Sequence, residues 1–110
     1  MIIGILAAIA IPQFNAYRTR SYNASAQADL MNAITAQEAF YIDHDTYTDS
    51  IEELEKTYGL FVNQDVTLQI TKGNKDGYTM MAFNKNGNKV YSITGPGGTI
   101  EFYSKDEKLK

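Results

Sequence analysis

The chain contains no cysteine, and that one absence removes disulfide bonds, thiol catalysis and thiolate metal sites together. It leaves the compartment open, because a secreted domain with a sufficient core manages without disulfides. Histidine is scarce: His44 stands alone. With no second His, no Cys and no plausible Ser–His base pair, acid–base and nucleophilic catalysis lack their parts, so no enzymatic activity is expected. An excess of positive charge is missing too. The 10 basic and 13 acidic residues give a formal net charge of -3, and the bases are scattered along the chain. Nucleic acid is therefore not expected in the core function, and no cofactor or metal is expected.

Charge is also absent from the whole N-terminus: no side chain that is charged at neutral pH precedes Arg18. From Ile2 to Ile11 every residue is apolar or Gly, yet a helix needs about 20 such residues to span a bilayer. A secretory signal peptide would place Lys or Arg ahead of the apolar run, although Ala8-Ile9-Ala10 loosely fits a cleavage site. The reading we favour is an N-terminally shortened form, with Met1 an added start and part of a longer apolar helix missing.

What is present suits one domain. The 110 residues, 44% of them hydrophobic, suffice for one modest core. From Ile2 to about Ile42 the sequence is helix-forming material, rich in Ala, Leu, Met, Gln and Arg, with Pro12 and Gly4 as the exceptions. Pro12 lacks an N–H and crowds the carbonyl four residues earlier, so a bend is expected there. Within Ala24 to Tyr41 the residues Leu30, Ile34 and Tyr41, with Ala26, Ala33 and Phe40, recur at helical spacing and mark the stripe that faces the head core. Asp29, Asn32, Thr35 and Glu38 fall on the other side.

The polar run Asp43-His44-Asp45-Thr46-Tyr47-Thr48-Asp49 ends this helix. It lacks the ligand spacing of a calcium-binding loop, and we read it as solvated. A short helix over 50–58 follows, with Ser50 and Glu53 as a capping box and Gly59 as its left-handed stop. After Asn63 the period becomes two. Strands are expected at about 65–72, 77–84, 89–94 and 99–104, separated by segments rich in Gly and Asn and by Gly95-Pro96-Gly97-Gly98, read as a hairpin turn. Short connections make them an antiparallel meander. The tail from Lys105 to Lys110 is expected to fray. Asn23-Ala24-Ser25 matches a glycosylation sequon but falls inside the predicted helix.

The predicted architecture is α+β: one long N-terminal helix packed on a four-stranded antiparallel sheet, with a short helix between. A helix of about 40 residues is about 60 Å long, while a compact domain of this size has a radius of gyration of about 13 Å. Half of the helix must project. We place a stem at 1–23 and a head at 24–110, whose helical portion is 24–42. The stem is apolar all round, so it must be surrounded by lipid or by other helices. Leaving it in water would forfeit on the order of 10 kcal/mol, comparable to the stability of a small domain.

The run Ile3-Gly4-Ile5-Leu6-Ala7-Ala8-Ile9-Ala10-Ile11-Pro12-Gln13-Phe14, followed by Tyr17 and Arg18, resembles the N-terminal helix of type IV pilins and of the related type II secretion pseudopilins. Gln13 to Arg18 and the Tyr22-Asn23 pair are similar to pilins of metal-reducing bacteria in particular. The family helix begins earlier, after a cleavage site and with a Glu near its start, and none of that is present in this sequence. The family's usual C-terminal Cys pair and the Asp-rich calcium site of the major pseudopilins are missing as well.

The resemblance implies a structural subunit of a type IV pilus filament, with Ile2, Ile3, Ile5, Leu6, Ile9, Ile11 and Phe14 in the filament core and Pro12 at the helix kink. It implies a helical homo-oligomer as partner, an inner-membrane stage and pilus assembly machinery before export, and an extracellular pilus on the bacterial surface afterwards. Tyr17, Arg18, Arg20, Tyr22 and Asp29 are candidate inter-subunit contacts. Arg18 and Arg20 either pair with a neighbour's carboxylates, such as Asp29, Glu38 or Asp43, or mark the water boundary. For the aromatic residues we take packing over electron transfer. Two alternatives stay open: a secretion pseudopilin or minor pilin, and a membrane-anchored module whose sheet binds a ligand.

Overall fold

The computed structural model describes the backbone of residues 2–105 and the side chains of residues 16–105. Helix α1 spans Ile2–His44 and α2 spans Ile51–Tyr58; strands β1 (Val66–Asn74), β2 (Gly77–Asn84), β3 (Lys89–Gly95) and β4 (Glu101–Ser104) follow. They form one sheet in the order β1-β2-β3-β4, with every neighbouring pair antiparallel. This is the expected α+β, pilin-like architecture. The longest dimension, 65 Å, matches a 43-residue helix at about 1.5 Å per residue. The radius of gyration of 17.4 Å exceeds the roughly 13 Å of a compact chain of this length.

The helix packs across the inner face of the sheet. Cross-strand register lines up Leu68, Ala82 and Tyr91 in one row and Ile70, Met80 and Ile93 in the next. These rows meet Ala26, Leu30, Ala33 and Phe40 of α1 in a single core, completed by Leu54 of α2. Alanine at three helix positions lets the backbone approach the strands closely, and Leu30 fills the space with no exposed surface. Ile34 and Tyr41 pack at the margin of this core, partly buried. Thr67, Gln69, Thr79 and Ser92 alternate onto the other face.

Several boundaries move. Helix α1 continues to His44, two residues past the expected end, and stops where Asp45 takes a left-handed conformation (φ 59°) and its N–H bonds to the Tyr41 carbonyl at 2.7 Å. Ser50 Oγ accepts from Glu53 N at 3.2 Å, and Gly59 ends α2 at φ 73°. The return half of the capping box is different: Ser50 N donates to Thr48 Oγ1 at 3.0 Å. A hydroxyl two residues away reaches that N–H with less ordering than a Glu side chain. Strand β1 runs on to Asn74 past an irregularity at Ile70/Lys72. Strand β4 begins only at Glu101, opposite Ser92, because Gly98 folds its backbone against the Thr94 carbonyl where a Cβ would collide.

The backbone of α1 is helical through Pro12. The side chains of Ile2, Ile3, Ile5, Leu6, Ile9, Ile11, Pro12 and Phe14 lie outside the described residues, as does the tail beyond Lys105. Lys105 itself is not frayed: its N–H bonds to the Asn88 carbonyl and its Nζ to the Asn84 carbonyl at 2.7 Å. No described helix is long and apolar enough to cross a membrane.

Candidate functional site

Three buried polar side chains on α1 hold the head's loops. At the lower end, where α1 enters the head, Asn23 Oδ1 accepts from Asn88 N at 3.0 Å and Lys89 N at 3.2 Å, and its Nδ2 donates to Asn88 Oδ1. Asn23, the last residue of the expected stem, has 4% of its surface exposed. Both ends of the Asn23 amide are thus engaged by the β2–β3 turn. In the middle, Asp29 accepts from Asn63 N at 3.0 Å and from Asn63 Nδ2, fixing the loop between α2 and β1. At the upper end, Gln37 Nε2 donates to the Thr48 carbonyl at 2.7 Å and Gln37 Oε1 accepts from Thr48 N at 3.0 Å.

Asp29 corrects one expectation. It is 3% exposed and engaged within its own head, so it does not lie on an outer polar face. Loop 59–65 covers that flank of α1, and Asn63 supplies the donors that make burying a carboxylate tolerable. The other candidate contacts remain near the surface: Arg18 and Arg20 are exposed, Tyr17 is 64% exposed, and half-buried Tyr22 accepts a 3.4 Å hydrogen bond from Arg18.

These clamps set two ends of opposite charge. The lower end gathers Arg18 and Arg20 of α1 with Lys85, Lys89 and Lys105 around the β2–β3 turn, against Asp65, which pairs with Lys85 at 3.3 Å. Lys89 lies over the Phe102 ring at 4.3 Å and Lys105 over Phe83 at 5.3 Å, contacts that hold both cations near the sheet. The upper end, where the Tyr47 N–H bonds the Asn74 carbonyl, carries Asp43, Asp45 and Asp49 with Glu52, Glu53 and Glu55 of α2. Lys56, paired with Glu52 at 3.8 Å, and Lys75 offset part of this charge.

The upper carboxylates do not converge on a point. Asp43 accepts from Tyr58 Oη at 2.6 Å, and the His44 ring sits 4.2 Å from Phe40. Among the described residues no group of three or more potential ligands is placed to hold a metal. Tyr47 is stacked on Tyr41 at 4.7 Å, lies edge-on to Tyr78 and donates to Glu38 at 3.3 Å. Burial, then the Glu38 charge and hydrogen bond, push the Tyr47 phenol up to about 12. The hydrogen bond to Asp43, then burial, does the same for Tyr58. Sequence reasoning missed Asn23 and Gln37 as clamps, and also the exposed apolar residues Met31, Ile42 and Phe61. Spacings of 7, 4 and 3 from Tyr17 through Ala24, Ala28, Met31, Thr35 and Ile42 were the available signal for a second, outward stripe.

Residues 12–94 match the family model described as "Type IV minor pilin ComP, DNA uptake sequence receptor". The chain is 31% identical over 100 residues to the type IV wide pilus major component PilA4 of Thermus thermophilus, covering 91% of this chain and 76% of that protein. It is 45% identical over 53 residues to the type IV major pilin protein PilA of Myxococcus xanthus, covering 48% of this chain; the match spans only 24% of that longer protein. The chain belongs to the type IV pilin family.

Proposed function

We propose that this chain is a structural subunit of a type IV pilus and polymerises through its apolar N-terminal helix. The observation that carries the reading is α1 itself. Its backbone is one helix from Ile2 to His44, the first buried side chain among the described residues is Asn23, and the run before it from Ile2 to Ile11 is apolar or Gly throughout. Such a surface requires lipid or other helices around it. In this reading the subunit rests in the inner membrane, assembly machinery extracts it, and Ile2, Ile3, Ile5, Leu6, Ile9, Ile11 and Phe14 bundle in the filament core, with Pro12 adjusting the helix course. The role is structural, and the sheet faces outward on the bacterial surface.

A minor pilin is the second reading, favoured by the description of the matching family model, which also names a DNA uptake receptor. The pseudopilin and the membrane-anchored ligand-binding module have no comparable support. The test is immunogold electron microscopy of the source cells, with the full-length gene tagged after Lys110, alongside a blot of the sheared extracellular fraction. Label along long filaments is expected. Label at filament tips alone would favour the minor pilin, and label confined to the envelope would overturn the pilus reading.

A further inference from the structure

The head carries opposite charge at its two ends, and those ends lie far apart on one rigid helix. Arg18 and Asp43 are separated by about 37 Å along α1, at about 1.5 Å per residue. Each end also presents an apolar side chain beside its charges: Tyr17 is 64% exposed next to Arg18, and Ile42 is 82% exposed next to Asp43. Like ends repel, so a two-fold contact through either end is disfavoured. Opposite ends attract, and a contact between different surfaces on identical chains continues without closing.

We propose that the basic lower end of one copy docks on the acidic upper end of a second copy, Tyr17, Arg18 and Arg20 meeting Ile42, Asp43 and Glu52. The proposal rests on the pilus reading and names the contact that gives the outer layer of that filament its polarity. The charges work over about 8 Å at physiological ionic strength, so they act on heads already brought side by side by their stems. Tyr17 and Ile42 supply the apolar contact that the flanking charges orient. Asp43 keeps its bond to Tyr58, since a carboxylate has lone pairs for more than one donor.

The experiment compares the amount of subunit in sheared filaments from cells carrying full-length variants. R18E/R20E and D43K/E52K each reverse one end and are expected to lower the assembled amount about tenfold or more. The chain with all four changes exchanges the signs of both ends and is expected to recover to within about threefold of wild type. Tyr58→Phe breaks the Asp43 hydrogen bond without altering charge and should assemble normally, which separates charge from folding. Thermal unfolding of the purified variants, with midpoints within about 5 °C of wild type, confirms that they fold.

Because the chain has no cysteine, a second measurement is direct. Y17C/I42C treated with a short bis-maleimide should give a ladder of multimers, while each single cysteine should give monomers. Normal assembly of either charge-reversed chain, failure of the four-fold change to improve on the worse reversal, or dimers from a single cysteine would overturn the proposal. A wild-type chain absent from filaments would instead overturn the pilus reading, and this contact with it.

Discussion

The Gln37 amide and the Thr48 backbone exchange two hydrogen bonds, one in each direction, in the manner of neighbouring strands. A side chain on α1 thereby stands in for a strand edge and turns the chain back over the top of the sheet. Gln37 has no exposed surface and Thr48 very little, so neither partner can turn to water. Gln37→Leu leaves a buried N–H and a buried carbonyl unpaired and should cost about 2–4 kcal/mol. Denaturant unfolding checks this. Gln37→Glu should do no better, because it loses the donor and buries a charge.

Gly87 and Asn23 give a coupled prediction. A Cβ on Gly87 would collide with Asn23 Oδ1, the acceptor for Asn88 N and Lys89 N. Gly87→Ala should displace that amide and destabilise by about 1–3 kcal/mol. In an Asn23→Ala background the same change should cost far less. Additive losses in the double-mutant cycle would show that the two residues do not act through this contact.

Leu30 and Met31 are adjacent in sequence and opposite in environment, the first fully buried and the second 53% exposed. Leu30→Ala should lower stability by about 2–5 kcal/mol through lost burial and a residual cavity. Met31→Ala should stay within about 0.5 kcal/mol in the unassembled chain. Thermal unfolding by circular dichroism of the two variants distinguishes them.

Alkaline pH should unfold the head through its tyrosines. Tyr47 is held up to about 12 by burial and by Glu38, and Tyr58 to about 12 chiefly by its hydrogen bond to Asp43; burial also raises Tyr78 and Tyr91. A phenol with a higher pKa in the folded chain keeps its proton there after the unfolded chain has released its own. Stability is therefore complete below pH 10 and is lost as pH rises from about 10 toward 12. Melting temperature against pH reads this directly. Tyr47→Phe should make the fall shallower, and Glu38→Gln should lower the pH at which the Tyr47 phenolate appears by absorbance.

Local signals in the sequence carried most of the fold. Ser50 and Gly59 bracket α2 because capping depends on residues three to nine positions apart, and the β2 pattern is visible because each strand shows its own alternation. The boundaries that moved did so for tertiary reasons, such as Gly98 folding onto Thr94 before β4 can pair. The clamps were not legible. Asn23, Asp29 and Gln37 find partners 65, 34 and 11 residues away, and a polar residue on a helix reads as solvated until its partner loop arrives. From sequence alone Asp29 reads as outward for that reason. The opposed charges of the two ends are likewise invisible in a net charge of -3, since they arise only when the meander brings Lys85, Lys89 and Lys105 to the end of the head that α1 enters, past Arg18 and Arg20.

The unbroken backbone of α1 also fixes how force enters the head. No loop separates Ile2 from Leu30 that could uncoil under tension, so a pull along the stem arrives undiminished at the rows where Ala26, Leu30 and Ala33 meet the strands. That interface is loaded in shear, parallel to the helix axis, and all its contacts resist together rather than opening one at a time. The clamps at Asn23, Asp29 and Gln37 tie the loops to the loaded helix, so the turns travel with it. The head yields as one body or not at all.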